Sequence, residues 1–106
     1  MILAVTGATG FLGRAFVAAA LDAGHEVRAL VRREAEAPAQ ARVFVGALPA
    51  SVPEAFLAGA DVLVHLAALG VQSRDRDWTR ACEVNVTGSV VLVRQAAEAG
   101  VKQAVL

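Results

Sequence analysis

The sequence predicts an α/β fold, a doubly wound parallel sheet of five strands in the order 3-2-1-4-5. Three observations carry this expectation. Short apolar runs of strand length alternate with segments of helical period from one end of the chain to the other. Three glycines, Gly7, Gly10 and Gly13, sit where the first apolar run passes into the first helical segment. The composition is 57% hydrophobic and only 5% aromatic, an Ala- and Val-rich chemistry suited to strands covered on both faces by helices.

The elements follow in order. Met1 to Val5 is a continuous apolar stretch fit for a buried parallel strand, and Leu12, Phe16 and Ala20 then give a helical period. Ala23, Gly24 and His25 read as a helix stop, with His25 solvated in the turn, and Val27, Ala29, Leu30 and Val31 supply a second strand. Glu34 to Gln40, containing Pro38, is a polar connection to a short third strand, Val43, Phe44 and Val45, which Gly46 ends. Ser51 starts the next helix, Pro53 and Glu54 suit its first turn, Phe56 and Leu57 turn inward, and Gly59 stops it. Asp61 to Leu66 is a fourth strand. The pattern is helical again from Arg74, with Val86, Val90, Val93 and Ala97 spaced by four, three and four before Gly100, and Lys102 to Leu106 begins a fifth strand. Strands alternating with helices in this way imply right-handed crossovers and a sheet of Rossmann type, residues 1–106 forming one nucleotide-binding domain.

The glycine turn is the chemical feature. A strand that turns sharply into a helix leaves the helix's first N–H groups and its positive dipole end free to meet an anion. Gly7 allows the tight reversal, Gly10 lets backbone approach a pyrophosphate, and Gly13 lets helix and sheet pack closely. A P-loop would need Lys and Ser or Thr after the last glycine; Arg14 and Ala15 stand there instead. Ten basic and ten acidic residues cancel, and no basic cluster joins an aromatic platform, so neither nucleic acid nor an anionic membrane is expected as a partner. No apolar run has the length of a membrane helix or the flanks of a signal peptide, which makes a cytoplasmic location the expectation. Cys82 is the only cysteine and reads as inert packing.

Several separated motifs resemble the extended short-chain dehydrogenase/reductase family, the NAD-dependent epimerase/dehydratase group that often acts on nucleotide sugars. TGATGFLG, Thr6 to Gly13, resembles the family's TGxxGxxG turn; Asp61 with His65, Leu66, Ala67 and Ala68 resembles its DxxxHxAA strand; and Asn85, Val86, Thr87, Gly88 resembles its NVxG helix start. The resemblance implies that backbone around Gly7, Thr9, Gly10, Phe11, Leu12 and Gly13 holds the pyrophosphate of a nicotinamide dinucleotide. It implies also that Leu66, Ala67 and Ala68 line the adenosine and ribose side, the two alanines leaving room for the cofactor unless they are only buried packing. Asn85 is, on the same grounds, a structural or cofactor-side hydrogen-bond partner, with a plain helix cap as the alternative. His65 reads as a hydrogen-bonded core histidine rather than an acid or base. Arg74 to Asp77 reads as a solvated charged face with Trp78 packed beneath it.

Two positions depart from the family pattern. Members that use NAD carry an acidic residue near the end of strand two, whereas Leu30 and Val31 are followed here by Arg32 and Arg33. A guanidinium can grip a 2′-phosphate through parallel hydrogen bonds, so NADP is the expected cofactor, with NAD the alternative if the arginines are only a charged loop. Ala47 stands where an acidic residue near the adenine is common, leaving only backbone around Leu48 for that contact. The family's catalytic tyrosine, the lysine four residues after it and the substrate-orienting serine or threonine follow strand five. This chain has no tyrosine and its one lysine is Lys102, so no residue here is expected to be catalytic and the 106 residues alone are expected to be inactive. The expectation is therefore the front portion of an NAD(P)-dependent epimerase, dehydratase or reductase, cut inside an apolar fifth strand whose open edge invites association into a homo-oligomer. The competing expectation is a non-catalytic module of the same fold that senses nicotinamide dinucleotide.

Overall fold

A computed structural model describes residues 1–34, 38–48, 51–67 and 77–106. Among the described residues, ten elements run in the order β1 (Ile2–Thr6), α1 (Phe11–Asp22), β2 (Glu26–Val31), β3 (Arg42–Val45), α2 (Glu54–Leu57), β4 (Val62–His65), α3 (Trp78–Cys82), a π-helical turn (Glu83–Thr87), α4 (Gly88–Glu98) and β5 (Gln103–Val105). The five strands form one parallel sheet in the order β3-β2-β1-β4-β5, as the alternation predicts. Chain order reverses between β1 and β4, which opens a crevice beyond the carboxyl ends of those strands.

The strand period of two divides the core between the faces of the sheet. Leu3 and Val5 of β1 and Val62 and Val64 of β4 pack with Val17 and Ala20 of α1. Ala4 and Leu63, one residue out of phase, pack with Phe56 and Leu57 of α2 and Leu92 and Ala96 of α4. Thr6 and His65 are register partners and share the parity of Ala4 and Leu63, so both belong to the α4 side. Asp61 pins the start of this central pair: its carboxylate accepts the Ile2 N–H at 2.6 Å.

Three helical features differ from the sequence reading. The buried line of α1 is Gly13, Val17 and Ala20, while Leu12 is exposed and Phe16 is partly buried. Gly13 sets that rotation, because its backbone lies against the Gly7 carbonyl. The second helix begins at Glu54, after Pro53, rather than at Ser51; the Ser51 N–H is held instead by the Ala47 carbonyl at 2.9 Å in a small antiparallel bridge. The long helical stretch is interrupted by the π turn, and α4 buries Gly88, Leu92 and Ala96, leaving Val86 and Val90 exposed. That stretch has two apolar lines, and periodicity cannot choose between them; the small Gly88 and Ala96 let their line approach the sheet.

Arg74 to Arg76 lie outside the described residues, and Trp78 beside them is largely exposed rather than packed. His25 is half-buried, its Nδ1 accepting from the Met1 amino group at 3.2 Å. No described helix is long and apolar enough to cross a membrane.

Arg28, in the middle of β2, is the one buried cationic side chain among the described residues. Its guanidinium donates from one nitrogen to the carbonyls of Ala55, Phe56 and Ala58 at 3.0, 3.3 and 2.5 Å, capping the short helix α2 from the side. Glu26 lies 3.9 Å from Nε, too far for a hydrogen bond, and that nitrogen has no partner. Four residues of helix are too few to hold themselves, so α2 depends on this cap and on burial of Phe56 and Leu57. Arg28→Leu leaves three carbonyls without their donor; equilibrium urea unfolding is expected to read a loss of about 2 to 3 kcal/mol.

Candidate nucleotide-binding cleft

The crevice at the switch point is a cleft of about 290 Å³. Its floor and walls come from the end of β1 (Thr6, Gly7, Thr9, Gly10), the end of β2 (Leu30, Val31, Arg32), the turn after β3 (Gly46, Ala47, Leu48), the end of β4 (Leu66, Ala67) and the far helix (Arg80, Val84).

The three glycines of the turn are held to different constraints. Gly7 has φ +74°, and a Cβ there would fall 2.6 Å from the Ala67 nitrogen. At Gly13 a Cβ would fall 1.8 Å from the Gly7 carbonyl oxygen. The fold therefore needs glycine at both positions. Gly10 is different: φ is −74°, and a Cβ would meet only the Gly7 oxygen at 3.4 Å, an ordinary contact. Gly10 is the N-cap of α1, lines the cleft and supplies no side-chain cap, so among the described residues the first N–H groups of the helix have no side-chain cap. Arg14 braces the turn from outside, its Nε donating to the Thr9 carbonyl at 2.9 Å.

A directional hydrogen-bond chain joins the two sides of the cleft. The Ser89 hydroxyl donates to the Asn85 carbonyl at 2.6 Å, so Ser89 Oγ must accept from His65 Nε2, 2.7 Å away. In the neutral imidazole, which burial favours, His65 Nδ1 then carries no proton and accepts the Thr6 hydroxyl at 2.6 Å, while Thr6 Oγ1 accepts the Ala67 N–H at 3.2 Å. Every hydroxyl proton has one place to go, and the imidazole is the neutral Nε2–H tautomer. A second proton on Nδ1 would leave the Thr6 hydroxyl without its acceptor. Burial acts in the same direction and lowers the His65 pKa from 6.5.

The structure brings together part of the residue set read from the sequence. Gly7, Thr9, Gly10, Arg32, Leu48, Leu66 and Ala67 line the cleft. Phe11 and Leu12 are exposed at the start of α1, Gly13 is buried beneath the turn, and Arg33 is exposed beyond Arg32 without lining the cleft. Asn85 lies in the π turn, half-buried, and contributes its carbonyl to the His65 chain. Ala68 lies outside the described residues. Arg80 and Val84 were not singled out by any motif, and their common signal is helical spacing alone. Thr6 and His65 are linked by strand register, which the order of the strands makes readable.

Fold and cleft together define an α/β protein of Rossmann type with an open cleft at the switch point of its sheet. The profile of the NAD dependent epimerase/dehydratase family matches residues 3–106, and the chain belongs to that family. It is 40% identical to sterol demethylase protein B of Methylococcus capsulatus over 99% of this chain and 33% of that protein. Among solved structures it resembles a short-chain dehydrogenase/reductase superfamily protein from Agrobacterium tumefaciens with bound NAD (TM-score 0.83, 30% identity, 98% of this chain and 31% of that one). It also resembles MoeE5 in complex with UDP-glucose and NAD (TM-score 0.82, 30% identity, 97% of this chain and 34% of that one). The chain thus spans about a third of the length of these relatives.

The neutral His65 carries a pH consequence. A histidine whose folded pKa lies below its unfolded value takes up a proton more readily in the unfolded chain, so the stability it contributes is fully present above pH 6.5 and is lost as pH falls below it. Thermal unfolding followed from pH 7.5 to 5 should show Tm falling on the acid side, and His65→Asn should flatten that fall. An unchanged slope in the variant would assign the acid sensitivity to other groups.

Proposed function

We propose that this chain is the nucleotide-binding part of an NAD(P)-dependent oxidoreductase of the epimerase, dehydratase or reductase type. Its substrate is a nucleotide sugar or a related carbonyl or hydroxyl compound. In this reading the pyrophosphate lies over Gly7, Thr9 and Gly10 against the first N–H groups of α1, at Phe11, Leu12 and Gly13. The adenosine lies between Leu48, Leu66, Ala67 and Val84. Asn85 acts through its backbone, on the His65 chain. When bound, the cofactor supplies a hydride donor or acceptor; the residues of this chain bind and orient it, and none of them is assigned an acid or base role.

One observation carries the reading. Packing and backbone conformation require glycine at Gly7 and Gly13 but not at Gly10, which lines the cleft and where a Cβ would meet only the Gly7 oxygen. A ligand backbone or pyrophosphate that must come close to this turn supplies the reason. The family relationship and the NAD present in the two solved neighbours support the same cofactor class.

The reading extends to NADP as the preferred cofactor. Arg32 lines the cleft at the end of β2, in the place where a carboxylate would otherwise accept from the ribose hydroxyls. Arg33 stands beside it as the alternate partner. A cytoplasmic location and self-association belong to the same proposal.

Calorimetric titration tests the turn. Gly10→Ala and Gly10→Val should both keep the fold, read by circular dichroism. Valine should lower the affinity for NAD and NADP alike by roughly a hundredfold or more, as expected when a side chain displaces a phosphate contact worth about 3 kcal/mol. Unchanged affinity in Gly10→Val refutes the site. Arg32→Ala should lower NADP affinity roughly tenfold to a hundredfold with little change for NAD. A ratio of the two affinities that survives alanine at both Arg32 and Arg33 removes the NADP assignment.

A further inference from the structure

The cleft holds a second guanidinium, Arg80, opposite the strand that carries Arg32. Arg80 lies one helical turn before Val84, and both residues line the cleft together with Arg32 and Leu48. The backbone of Arg80 is fixed, its N–H donating to the Asp77 carboxylate at 3.0 Å. Its side chain is exposed and has neither an ion-pair nor a hydrogen-bond partner among the described residues. Among the described residues that line the cleft there is no aspartate or glutamate, and Ala47 stands at one of the two positions where the family pattern carries a carboxylate. Among the described residues, two arginines thus line one partly enclosed space with no acidic side chain in its lining, an arrangement that favours a multiply charged anion over a neutral or singly charged group.

The side of the sheet tells which anion. The glycine turn leads into α1, which packs on the face built around Val17 and Val27. Leu48 packs with the opposite cluster, around Leu63 and Leu92, and the helical stretch carrying Arg80 and Val84 runs into α4 on that same face. Arg80 therefore lies on the same face of the sheet as Leu48, with which it lines the cleft, and in the proposed site Leu48 marks the adenosine end while the turn serves the pyrophosphate through backbone N–H groups. We infer that Arg80 is a specificity-determining residue that grips, from the helix side, the same 2′-phosphate of adenosine that Arg32 meets from the strand side. This inference rests on the NADP reading given above. Two guanidinium forks from different elements can satisfy more phosphate oxygens than one, and a phosphate absent from the ligand leaves both in water.

The test uses the full-length protein and three ligands: NADP, NAD and adenosine 2′,5′-bisphosphate, which keeps the 2′-phosphate without the nicotinamide half. Arg80→Met keeps the aliphatic stem and removes the charge; it should weaken NADP and adenosine 2′,5′-bisphosphate about tenfold, leave NAD within about twofold, and make NADP binding less sensitive to salt. Arg80→Lys should recover part of the loss. Combined with Arg32→Ala, the two losses should be less than additive, because both side chains hold one group. NAD affinity serves as the folding control for each variant. Equal losses for NAD and NADP would place Arg80 on the part the two cofactors share and overturn the inference, as would no loss for either. Wild-type protein that binds NAD at least as tightly as NADP overturns the cofactor reading itself; a wild-type NADP preference that responds to Arg32 alone overturns only the role of Arg80.

Discussion

The contact between the Gly13 backbone and the Gly7 carbonyl is the constraint on which the rest of this molecule depends. With no room for even a methyl group between them, the end of β1 and the first turn of α1 are locked into one unit. That lock fixes the rotation of α1, which selects Gly13, Val17 and Ala20 as its buried line and sends Leu12 to solvent. It also fixes the direction in which the free N–H groups of the helix point. A packing requirement of the core and the direction of the first N–H groups of α1 are thus set by the same pair of residues.

The far wall of the cleft is held by polar contacts in addition to the packing of Leu92 and Ala96 on the sheet. Thr6, His65 and Ser89 tie β1 and β4 to the helix that follows the π turn, each donor and acceptor used in one direction. Because a neutral imidazole does this work, the connection is insensitive to ionic strength and sensitive to acid. The helix side of the cleft also carries Arg80 and Val84, and the His65 chain reaches the adjoining turn at the Asn85 carbonyl. Arg28 plays a comparable part under the β2 side, where it holds the short helix α2 against the sheet.

Much of this is legible in the chain. Strand order follows from the alternation of Val-rich runs with helical segments, and the turn between Thr6 and Gly13 identifies the end of the sheet where the cleft opens. Helix rotation is not legible, because Val86, Val90 and Val93 offer an apolar line as regular as the one through Leu92 and Ala96, and a π turn shifts the phase between them. Arg80 is invisible for another reason. Its place in the cleft depends on how far the α3 stretch projects beyond the sheet, which no local pattern records. The role of Arg28 is hidden too, since a charged residue inside an apolar strand gives no hint of the three carbonyls that a neighbouring helix will bring to it.

The unequal demands on the three glycines bear on how such a chain changes over descent. Gly7 and Gly13 are required for folding whether or not any nucleotide is present; a lineage that abandoned its cofactor would still be selected to keep both. Gly10 carries no such packing demand, since the protein has room for a side chain there, and in the function proposed above it answers to the ligand alone. Drift at that single position, with its two neighbours intact, would be the earliest mark of a relative that has kept the architecture and given up the nucleotide, and it could be recognised without any assay of activity.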